Sequence, residues 1–229
     1  MDLKRQVATV AVEWIESGMV VGLGSGSTAK IVIDLLGEKI RAGHLKNIVG
    51  IPTSNATAAQ ARALGIALAE LGDYAKLDLA IDGADEVDGR LNLIKGWGGA
   101  LVREKLVEIY AKRLVIVVDE TKLVKQLGTR GPLPVEVAQF AWQAQANWLA
   151  DTLNCSVTLR LDGTEPYLSD NQNFILHCAF DHGISDPYLI RDSLMDRPGV
   201  VGHGLFLDLA ADVLIATASG VKHLRREDL

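Results

Sequence analysis

Short apolar runs alternate with amphipathic stretches over the first half of the chain. The apolar runs predict buried strands at 19–23, 48–53, 66–71, 77–81 and 114–119. Apolar residues that recur at helical spacing predict helices at 2–17, 28–43 and 55–64, and a further helix that begins near Ala100. Strands that alternate with helices are typical of a parallel sheet covered on both faces. We therefore expect an α/β fold with a doubly wound, mostly parallel, Rossmann-like sheet.

The pattern changes after Gly128, where the segment GPLPVEV places two prolines before the next strand. Further strands are predicted at 156–161, 174–180 and 200–206, with helices at 138–152 and 186–195. The resulting order, β-α-β-β-α-β, is that of a ferredoxin-like α+β unit. A last apolar run at 211–217 could return as a strand to the first sheet. We predict a Rossmann-like catalytic domain at 1–128 and 207–229 and a smaller ferredoxin-like domain at 129–206.

Composition and charge narrow the classes of function. Of the 229 residues, 48% are hydrophobic and 23% are charged, and the net charge of -6 does not favour nucleic-acid binding. No apolar run is long enough to span a membrane, and the N-terminal segment lacks the apolar core of a signal peptide. Cys155 and Cys178 are the only cysteines, which is typical of a reducing compartment. We expect a cytoplasmic protein without membrane or nucleic-acid partners.

The histidines give no indication of a metal site. The five of them show no metal-ligand spacing, and His177-Cys178 beside His182 is interpreted as a strand pair next to a surface loop. We therefore expect neither a bound metal nor an organic cofactor.

The segment GLGSGST at 22–28 joins a predicted strand to a predicted helix. Backbone amides at a helix start, together with the hydroxyls of Ser25, Ser27 and Thr28, can surround a phosphate group. The segment lacks the Gly-Lys-Ser/Thr end of a P-loop and the spacing of a dinucleotide fingerprint. A tight turn without a ligand is the alternative, and a small phosphate ester is the interpretation that we prefer.

An acidic loop follows the strand at 77–81. It carries four carboxylates, Asp82, Asp85, Glu86 and Asp88, at the carboxyl end of a predicted parallel strand, where ligands bind in open α/β sheets. It is not an EF-hand loop, because Ala84 stands where a calcium ligand is needed. Taken alone, the loop could equally be a solvated turn.

A lysine and a glycine-rich turn lie between the acidic loop and the next helix. Lys95 precedes Gly96, Gly98 and Gly99, which allow backbone amides to approach a ligand closely. A lysine and amides near carboxylates could stabilise an oxyanion during proton transfer. In the helix that follows, one stripe contains Val102, Leu106, Ile109 and Arg113, and Glu104 lies off that stripe near the N-terminus.

The sequence DGADEVD followed by KGWGGALVREK resembles the ribose-5-phosphate isomerase type A family, which pairs a DGADE loop with a KGGGxAxxREK segment. Further matching segments follow in order along the whole chain: GSGST at 24–28, IPTS at 51–54, DETK at 119–122, PLPVEV at 132–137, PGVV at 198–201 and GLF at 204–206. Two departures stand out. Trp97 replaces a usual glycine, and Gln172 in DNQN replaces a common glycine. We expect the Trp97 indole to point away from the ligand.

The resemblance implies an isomerase that interconverts D-ribose 5-phosphate and D-ribulose 5-phosphate through a cis-enediolate, in the non-oxidative branch of the pentose phosphate pathway. In this reading Glu104 is the catalytic base, Lys95 and the 96–99 amides stabilise the enediolate oxygen, and Asp82 and Asp85 assist ring opening. Lys122 is a substrate contact, and Lys4 is a weaker candidate partner for the phosphate. The full set of expected substrate-binding residues is Ser25, Gly26, Ser27, Thr28, Asp82, Gly83, Ala84, Asp85, Lys95, Gly96, Trp97, Gly98 and Lys122.

Two other functions remain open at this point. A sugar-phosphate sensor would share the fold, but the sequence shows no attached helix-turn-helix segment, and sensing would not need Glu104 and Lys95. A related enzyme of coenzyme A transfer or amino-sugar phosphate deamination is the second alternative, although a deaminase would be expected to place a histidine between His44 and His177. The family resemblance and the apolar content of the second domain predict a homo-oligomer, either a dimer or a tetramer. The apolar side chains behind this prediction are Trp142, Trp148, Val200, Val201, Leu205 and Phe206.

Overall fold

Six α-helices lie within residues 2–229, the part of the chain that the computed structural model describes. They are α1 (Leu3–Val12), α2 (Ser27–Arg41), α3 (Asn55–Ala63), α4 (Leu101–Ile109), α5 (Trp142–Leu153) and α6 (Pro187–Met195). Ser54 is the N-cap residue of α3, a position that serine favours, and its side chain accepts a hydrogen bond from the Thr57 amide. The predicted helix at 2–17 is too long. After Val12 the chain continues with i to i−3 hydrogen bonds, a tighter turn that keeps Ile15 buried.

Strands account for most of the remaining regular structure. They are β1 (Val20–Leu23), β2 (Val49–Pro52), β3 (Ala67–Leu68), β4 (Leu79–Asp82), β5 (Glu86–Val87), β6 (Leu93–Ile94), β7 (Leu114–Asp119), β8 (Leu133–Val137), β9 (Ser156–Leu159), β10 (Leu161–Asp162), β11 (Glu165–Pro166), β12 (Phe174–Ala179), β13 (Val200–His203), β14 (Leu205–Phe206), β15 (Asp212–Thr217) and β16 (Gly220–Arg225). The predicted strand at 66–71 is reduced to β3, because residues Leu71–Asp73 form a 3-10 turn. The sequence analysis did not predict β5, β6 or β16.

The chain divides into two compact units. The first unit consists of the chain up to Ala84, Arg103–Lys122 and Asp208–Leu229, and the second of Asp85–Val102 and Leu123–Leu207. Residues 85–102 thus group with the second unit, whereas the predicted boundaries place them in the Rossmann-like part. The predicted domain boundaries remain a prediction.

The first unit contains a seven-stranded sheet in the order β16-β15-β7-β4-β1-β2-β3. Every pairing is parallel except that of β15 with β16, so the predicted doubly wound parallel sheet is confirmed. The run at 211–217 returns as β15 beside β7, as predicted. Because the six parallel strands point the same way, their carboxyl ends form one edge of the sheet, where Ser25 and Asp82 lie.

The second unit contains a four-stranded antiparallel sheet in the order β13-β8-β12-β9. This order, with α5 and α6 between the strands in sequence, is that of the predicted ferredoxin-like fold. A small sheet of β14, β6 and β5 lies in the same unit. Trp142, Trp148, Leu205 and Phe206 belong to or line the core of this unit. They are therefore not the exposed apolar surface on which the oligomer prediction was based.

The buried face of α4 differs from the predicted stripe. Leu101, Glu104, Val107 and Glu108 are buried, whereas Leu106 and Ile109 are nearly half exposed. The predicted stripe of Val102, Leu106, Ile109 and Arg113 is therefore not the buried face, and two carboxylates take buried positions instead. Such an exchange of polar for apolar burial is expected at functional sites more than in a plain core.

Candidate active site

Asp82 ends strand β4 in the first unit and fixes the neighbouring turn. Its side chain is buried, and Oδ1 accepts hydrogen bonds from the amides of Ser25 at 2.9 Å and Gly83 at 2.7 Å. Gly24 passes so close that a Cβ there would lie 2.2 Å from Asp82 Oδ1. Glycine is therefore required at position 24, and Asp82 is held against the start of the predicted phosphate cradle.

Hydroxyl groups support the cradle from the adjoining strand end. Ser25 Oγ lies 2.7 Å from Thr53 Oγ1 and donates to Ser54 Oγ at 2.8 Å. Thr57 Oγ1 donates to the Gly24 carbonyl at 2.9 Å. These bonds join the turn after β1 to the start of α3 and so fix the backbone of the turn.

The cradle leads directly into α2. Gly26 occupies the N-cap position with φ of +94°, a conformation that favours glycine, and Ser27 and Thr28 form the first turn. The unpaired amides and the positive end of the helix dipole at such a turn suit an anion. Lys4 Nζ donates to Ser27 Oγ at 2.9 Å, so α1 brings a second positive charge to this position.

Lys122 lies in the short 3-10 turn that follows β7. Burial would raise the pKa of Asp119, but hydrogen bonds from Thr121 and the charges of Lys122 and Lys4 lower it below its ordinary value. Because both lysines influence this one carboxylate, the first unit brings Lys122 and Lys4 to the same edge of the sheet as the cradle.

In the second unit, Asp85 begins the segment that leads to the glycine-rich turn. Its amide donates to the Ile94 carbonyl at 2.8 Å, and its Oδ2 accepts the Trp97 amide at 2.9 Å. The Asp85 side chain therefore shapes the turn. Gly83 and Ala84 connect it to Asp82 along the chain.

The other two carboxylates of the acidic loop, Asp88 and Glu86, accept hydrogen bonds from backbone amides. Asp88 Oδ1 accepts the amides of Arg90 and Asn92 at 2.8 Å each and so closes its own turn. Glu86 is fully buried and accepts backbone amides from the segment 128–131. Of the four carboxylates that the sequence offered as proton carriers, only Asp82 and Asp85 remain candidates.

Lys95 follows β6 and is almost fully buried. Its amide donates to the Gly204 carbonyl at 2.9 Å, and its Nζ lies 5.4 Å from the centroid of the Phe206 ring. A cation that lies over an aromatic ring is held in a restricted position. A restricted position suits a group that stabilises a developing oxyanion. The sequence analysis did not predict Phe206 as a partner of Lys95, because no local pattern links the two positions.

Residues 96–99 form a closed turn in which the Gly99 amide donates to the Gly96 carbonyl at 2.9 Å. Gly96 and Gly99 have φ of +105° and +92°, and a Cβ on Gly96 would lie 2.7 Å from that of Leu101. Trp97 is not among the residues with positive φ, so a side chain at this position causes no backbone strain. Its indole Nε1 donates to the Pro132 carbonyl at 2.9 Å, which directs the half-buried ring onto the segment 131–132.

Glu104 lies in the first turn of α4 and is only 6% exposed. Arg103 beside it donates from Nη1 to Asn55 Oδ1 at 2.9 Å, which ties this turn to the start of α3. Burial lowers the pKa of Lys105 to about 7, although the charge of Glu108 opposes this shift. The helix therefore places a buried carboxylate next to a lysine that is readily deprotonated.

The first unit thus has the predicted phosphate cradle with two lysines, and the second an ordered glycine-rich turn with a buried lysine. Carboxylates lie in both. No group of three or more histidine, cysteine, aspartate or glutamate side chains among residues 2–229 could hold a metal ion. These features define an α/β protein that is suited to a small phosphorylated ligand and to acid–base chemistry.

Comparisons with known proteins agree with this class. The family model described as ribose 5-phosphate isomerase A (phosphoriboisomerase A) matches residues 49–220. Ribose-5-phosphate isomerase A of Gloeobacter violaceus is 49% identical over 223 residues, which are 97% of this chain and 95% of that protein. The chain therefore belongs to the ribose 5-phosphate isomerase A family, whose members are aldose–ketose isomerases.

Solved structures support the fold assignment. Ribose 5-phosphate isomerase from Plasmodium falciparum superposes with a TM-score of 0.95 at 39% identity and covers 97% of each chain. A D-ribose-5-phosphate isomerase in complex with phospho-erythronic acid superposes with a TM-score of 0.94 at 41% identity and covers 98% of each. The family and the α/β fold that the sequence predicted are both confirmed.

Proposed function

We propose that this chain interconverts D-ribose 5-phosphate and D-ribulose 5-phosphate through a cis-enediolate, with Glu104 as the base. The observation that carries the proposal is the buried carboxylate of Glu104 in the first turn of α4, in the segment that matches the family motif. A carboxylate has no packing reason to occupy such a position, whereas proton transfer requires a base that is shielded from water.

The proposed proton transfer is balanced within the substrate. Glu104 takes the proton from C2 of the open-chain aldose, and the electron pair of that bond forms the C1–C2 double bond as the C1 carbonyl becomes an enediolate oxygen. The protonated Glu104 then delivers the same proton to C1. The C2 hydroxyl proton moves to O1, and O2 becomes the ketose carbonyl. Neither an oxidant nor a metal is needed for this step.

Lys95 and the 96–99 turn have the properties of an oxyanion site. Lys95 is buried and directed by Phe206, so its charge is little screened, and the turn carries amides in a fixed conformation. These groups stabilise the enediolate oxygen more than the neutral substrate, which lowers the barrier to proton abstraction. Asp82, helped by Asp85, assists ring opening.

The phosphate end of the sugar binds at Ser25, Gly26, Ser27 and Thr28, with Lys122 and Lys4 supplying positive charge. Binding energy from the phosphate then orients the distant C1–C2 bond, which is worth several orders of magnitude in rate. The phospho-erythronic acid bound in the related structure is a phosphorylated sugar acid of the kind that such a site would accept.

Assembly and location complete the proposal. We infer a homo-oligomer, because the second unit exposes several large apolar side chains, and a cytoplasmic location, because Cys155 and Cys178 are both free thiols. No helix among residues 2–229 is long and apolar enough to cross a membrane.

The direct test measures ribulose 5-phosphate formed from ribose 5-phosphate in the presence of a chelator. We expect full activity with chelator, because the described residues provide no metal-binding cluster. Glu104→Gln keeps the shape and removes the proton acceptor, so kcat should fall about a hundredfold or more. Inhibition by phospho-erythronic acid should persist in the variant, since binding is retained.

Glu108→Gln is the matched control. Glu108 is also a buried carboxylate of α4, one turn further along the helix. Its variant should keep kcat within a few-fold if the role is specific to Glu104. Equal losses in both variants would point to damage of α4 instead, and binding of ribose 5-phosphate without turnover by the wild type would favour the sugar-phosphate sensor.

A further inference from the structure

The glycine-rich turn 96–99 is held on one side by Tyr167, within the second unit. Tyr167 Oη lies 3.4 Å from the Gly98 carbonyl, at the outer limit of a hydrogen bond. The packing contact is closer, because a Cβ on Gly99 would lie 2.4 Å from Tyr167 Oη and 2.8 Å from its ring. Tyr167 therefore touches the backbone of the turn directly.

A buried carboxylate organises the loop that follows Tyr167. Glu136 lies on β8, the second strand of the four-stranded sheet, and is fully buried. Its Oε1 accepts three side-chain hydrogen bonds, from Ser169 Oγ at 2.9 Å, Asn171 Nδ2 at 3.1 Å and Asn173 Nδ2 at 2.9 Å. One carboxylate oxygen thus fixes the loop 167–173.

Trp97, within the turn, provides a second support. The Trp97 indole packs on Gly131, where a Cβ would lie 2.3 Å from the ring, and donates to the Pro132 carbonyl. Glu86, also fully buried, accepts the amides of Gly128 at 2.6 Å, Arg130 at 2.7 Å and Gly131 at 3.2 Å. A second buried carboxylate therefore fixes the segment on which Trp97 rests.

Stability alone does not account for the buried carboxylate of Glu136. The side chains that donate hydrogen bonds to Glu136 are neutral, and its buried Oε2 has no hydrogen-bond partner among residues 2–229. Burying such a group costs several kcal/mol more than burying an apolar one of the same size. A carboxylate that binds three donors at once does, however, define a loop conformation more narrowly than apolar packing can.

We propose that Glu136 and Glu86 are positioning residues for the 96–99 turn, acting through Tyr167 and Trp97. This inference rests on the proposed role of the turn in binding the enediolate oxygen. Glu136 fixes the loop that begins with Tyr167, whose ring touches the turn, and Glu86 fixes the segment 128–131, on which the Trp97 ring of the turn rests. Loss of either support lets the turn amides and Lys95 move away from the position that the enediolate requires, while the phosphate cradle of the first unit is untouched.

The variants form two graded pairs. Glu136→Leu removes all three hydrogen bonds, whereas Glu136→Gln keeps an acceptor oxygen. Tyr167→Ala removes the ring, whereas Tyr167→Phe keeps it and loses only the long bond to Gly98. Asp212→Asn is the control, because Asp212 is an equally buried carboxylate that binds Arg113 and His223 in the first unit.

The readout is the inhibition constant of phospho-erythronic acid relative to that of inorganic phosphate. Neither constant depends on how much of the protein is folded. We expect Glu136→Leu and Tyr167→Ala to weaken phospho-erythronic acid about tenfold and to leave phosphate within twofold, with recovery in Glu136→Gln and Tyr167→Phe. Glu86→Gln should shift the same ratio moderately, and Asp212→Asn should not shift it.

Hydrogen exchange of the peptide that covers 96–100 provides a readout without ligand. Exchange should be faster in Tyr167→Ala than in the wild type and unchanged in Asp212→Asn. An unchanged exchange rate in Tyr167→Ala, or an unchanged inhibition ratio in it, overturns the proposal even if Glu136→Leu does not fold. Isomerisation by the wild type is a separate measurement, so failure of the proposed function is recognised independently.

Discussion

The chain as a whole carries a net charge of -6, so positive charge at the proposed phosphate site has to come from individual side chains. Lys4 reaches Ser27 from α1, and Lys122 follows β7, so the two lysines come from segments that are far apart in the sequence. Both act on Asp119, whose pKa is lowered although burial would raise it. A phosphate dianion would meet these charges at the N-terminus of α2.

Lys4→Met should therefore weaken substrate binding without changing the chemical step. In the proposed binding mode the charge contacts the phosphate equally in ground state and transition state, so KM should rise about tenfold while kcat stays within twofold. Lys30→Met, which removes an exposed lysine from α2, is the matched control and should change neither constant. A fall in kcat with an unchanged KM would place Lys4 elsewhere in the mechanism.

At the scale of single residues, Gln172 also allows a prediction about the free energy of unfolding. It has φ of +62°, in the left-handed region, which explains why glycine is common there in the family that the sequence resembles. Its amide donates to the Ser169 carbonyl and its own carbonyl accepts from Gln139 Nε2, so glycine would keep both bonds. Gln172→Gly should raise the free energy of unfolding in urea by up to about 1 kcal/mol. A decrease would show that the Gln172 side chain itself stabilises the loop.

Individual residues were predictable where a local pattern specifies them. Gly26, Asp82 and Lys95 stand in short motifs whose spacing reflects one turn or one strand end. Glu86 and Glu136 were not predictable as supports of the turn, because their partners lie more than 30 positions away and are mostly backbone amides or neutral side chains. Tertiary contacts of this kind leave no periodic signal in a single sequence.

At the scale of elements, α4 shows where periodicity misleads. Leu106 and Ile109, two of its apolar residues, are nearly half exposed, while Glu104 and Glu108 are buried. The sequence located the helix within one residue of its start but assigned the wrong face. Hydrophobic periodicity assumes that burial follows polarity, and this fails where carboxylates are buried for a reason other than packing.

Lys105 makes the stability of α4 dependent on pH. Its folded-state pKa of about 7 lies well below the roughly 10.4 of an unfolded lysine. Between these values the unfolded chain binds the extra proton, so stability rises with pH from about 7 to about 10. Relative to Lys105→Met, the wild type should gain about 1 to 3 kcal/mol of unfolding free energy between pH 7 and pH 10.

Urea denaturation at the two pH values measures this difference. Lys112→Met provides the control, because Lys112 is mostly exposed and pairs with Asp78 on the surface. It should show no comparable change with pH. A wild type that loses stability relative to Lys105→Met as the pH rises would contradict the expected sign.

At the scale of the whole molecule, the order of elements was largely predictable and the grouping of segments was not. Alternating strands and helices gave the parallel sheet, and β15 returned to it as expected. The segment 85–102 looked like a simple loop between two Rossmann strands. It forms β5 and β6 and groups with the second unit, because β6 pairs with β14, more than 100 positions away. Non-local pairing of two-residue strands has no signature in a sequence.

Association of chains is the remaining property at this scale. Of the side chains from which the sequence predicted an oligomer, Leu205 and Phe206 are buried in the second unit, Trp142, Trp148 and Val200 are half-buried, and Val201 is exposed. Other large apolar side chains of that unit are exposed: Phe140 at 90%, Met195 at 72%, Leu189 at 65% and Leu161 at 53%. Exposed apolar side chains of this size favour contact with another copy of the chain.

Sedimentation at micromolar concentration should therefore give a mass of at least twice the 24.6 kDa of one chain. Phe140→Ser combined with Leu189→Ser should raise the dissociation constant at least tenfold, since each removes apolar area from the proposed contact. Val10→Ser is a matched change of an exposed apolar residue on α1 of the first unit and should leave the mass unchanged. A species of 24.6 kDa for the wild type at this concentration would show that the exposed apolar residues serve another purpose.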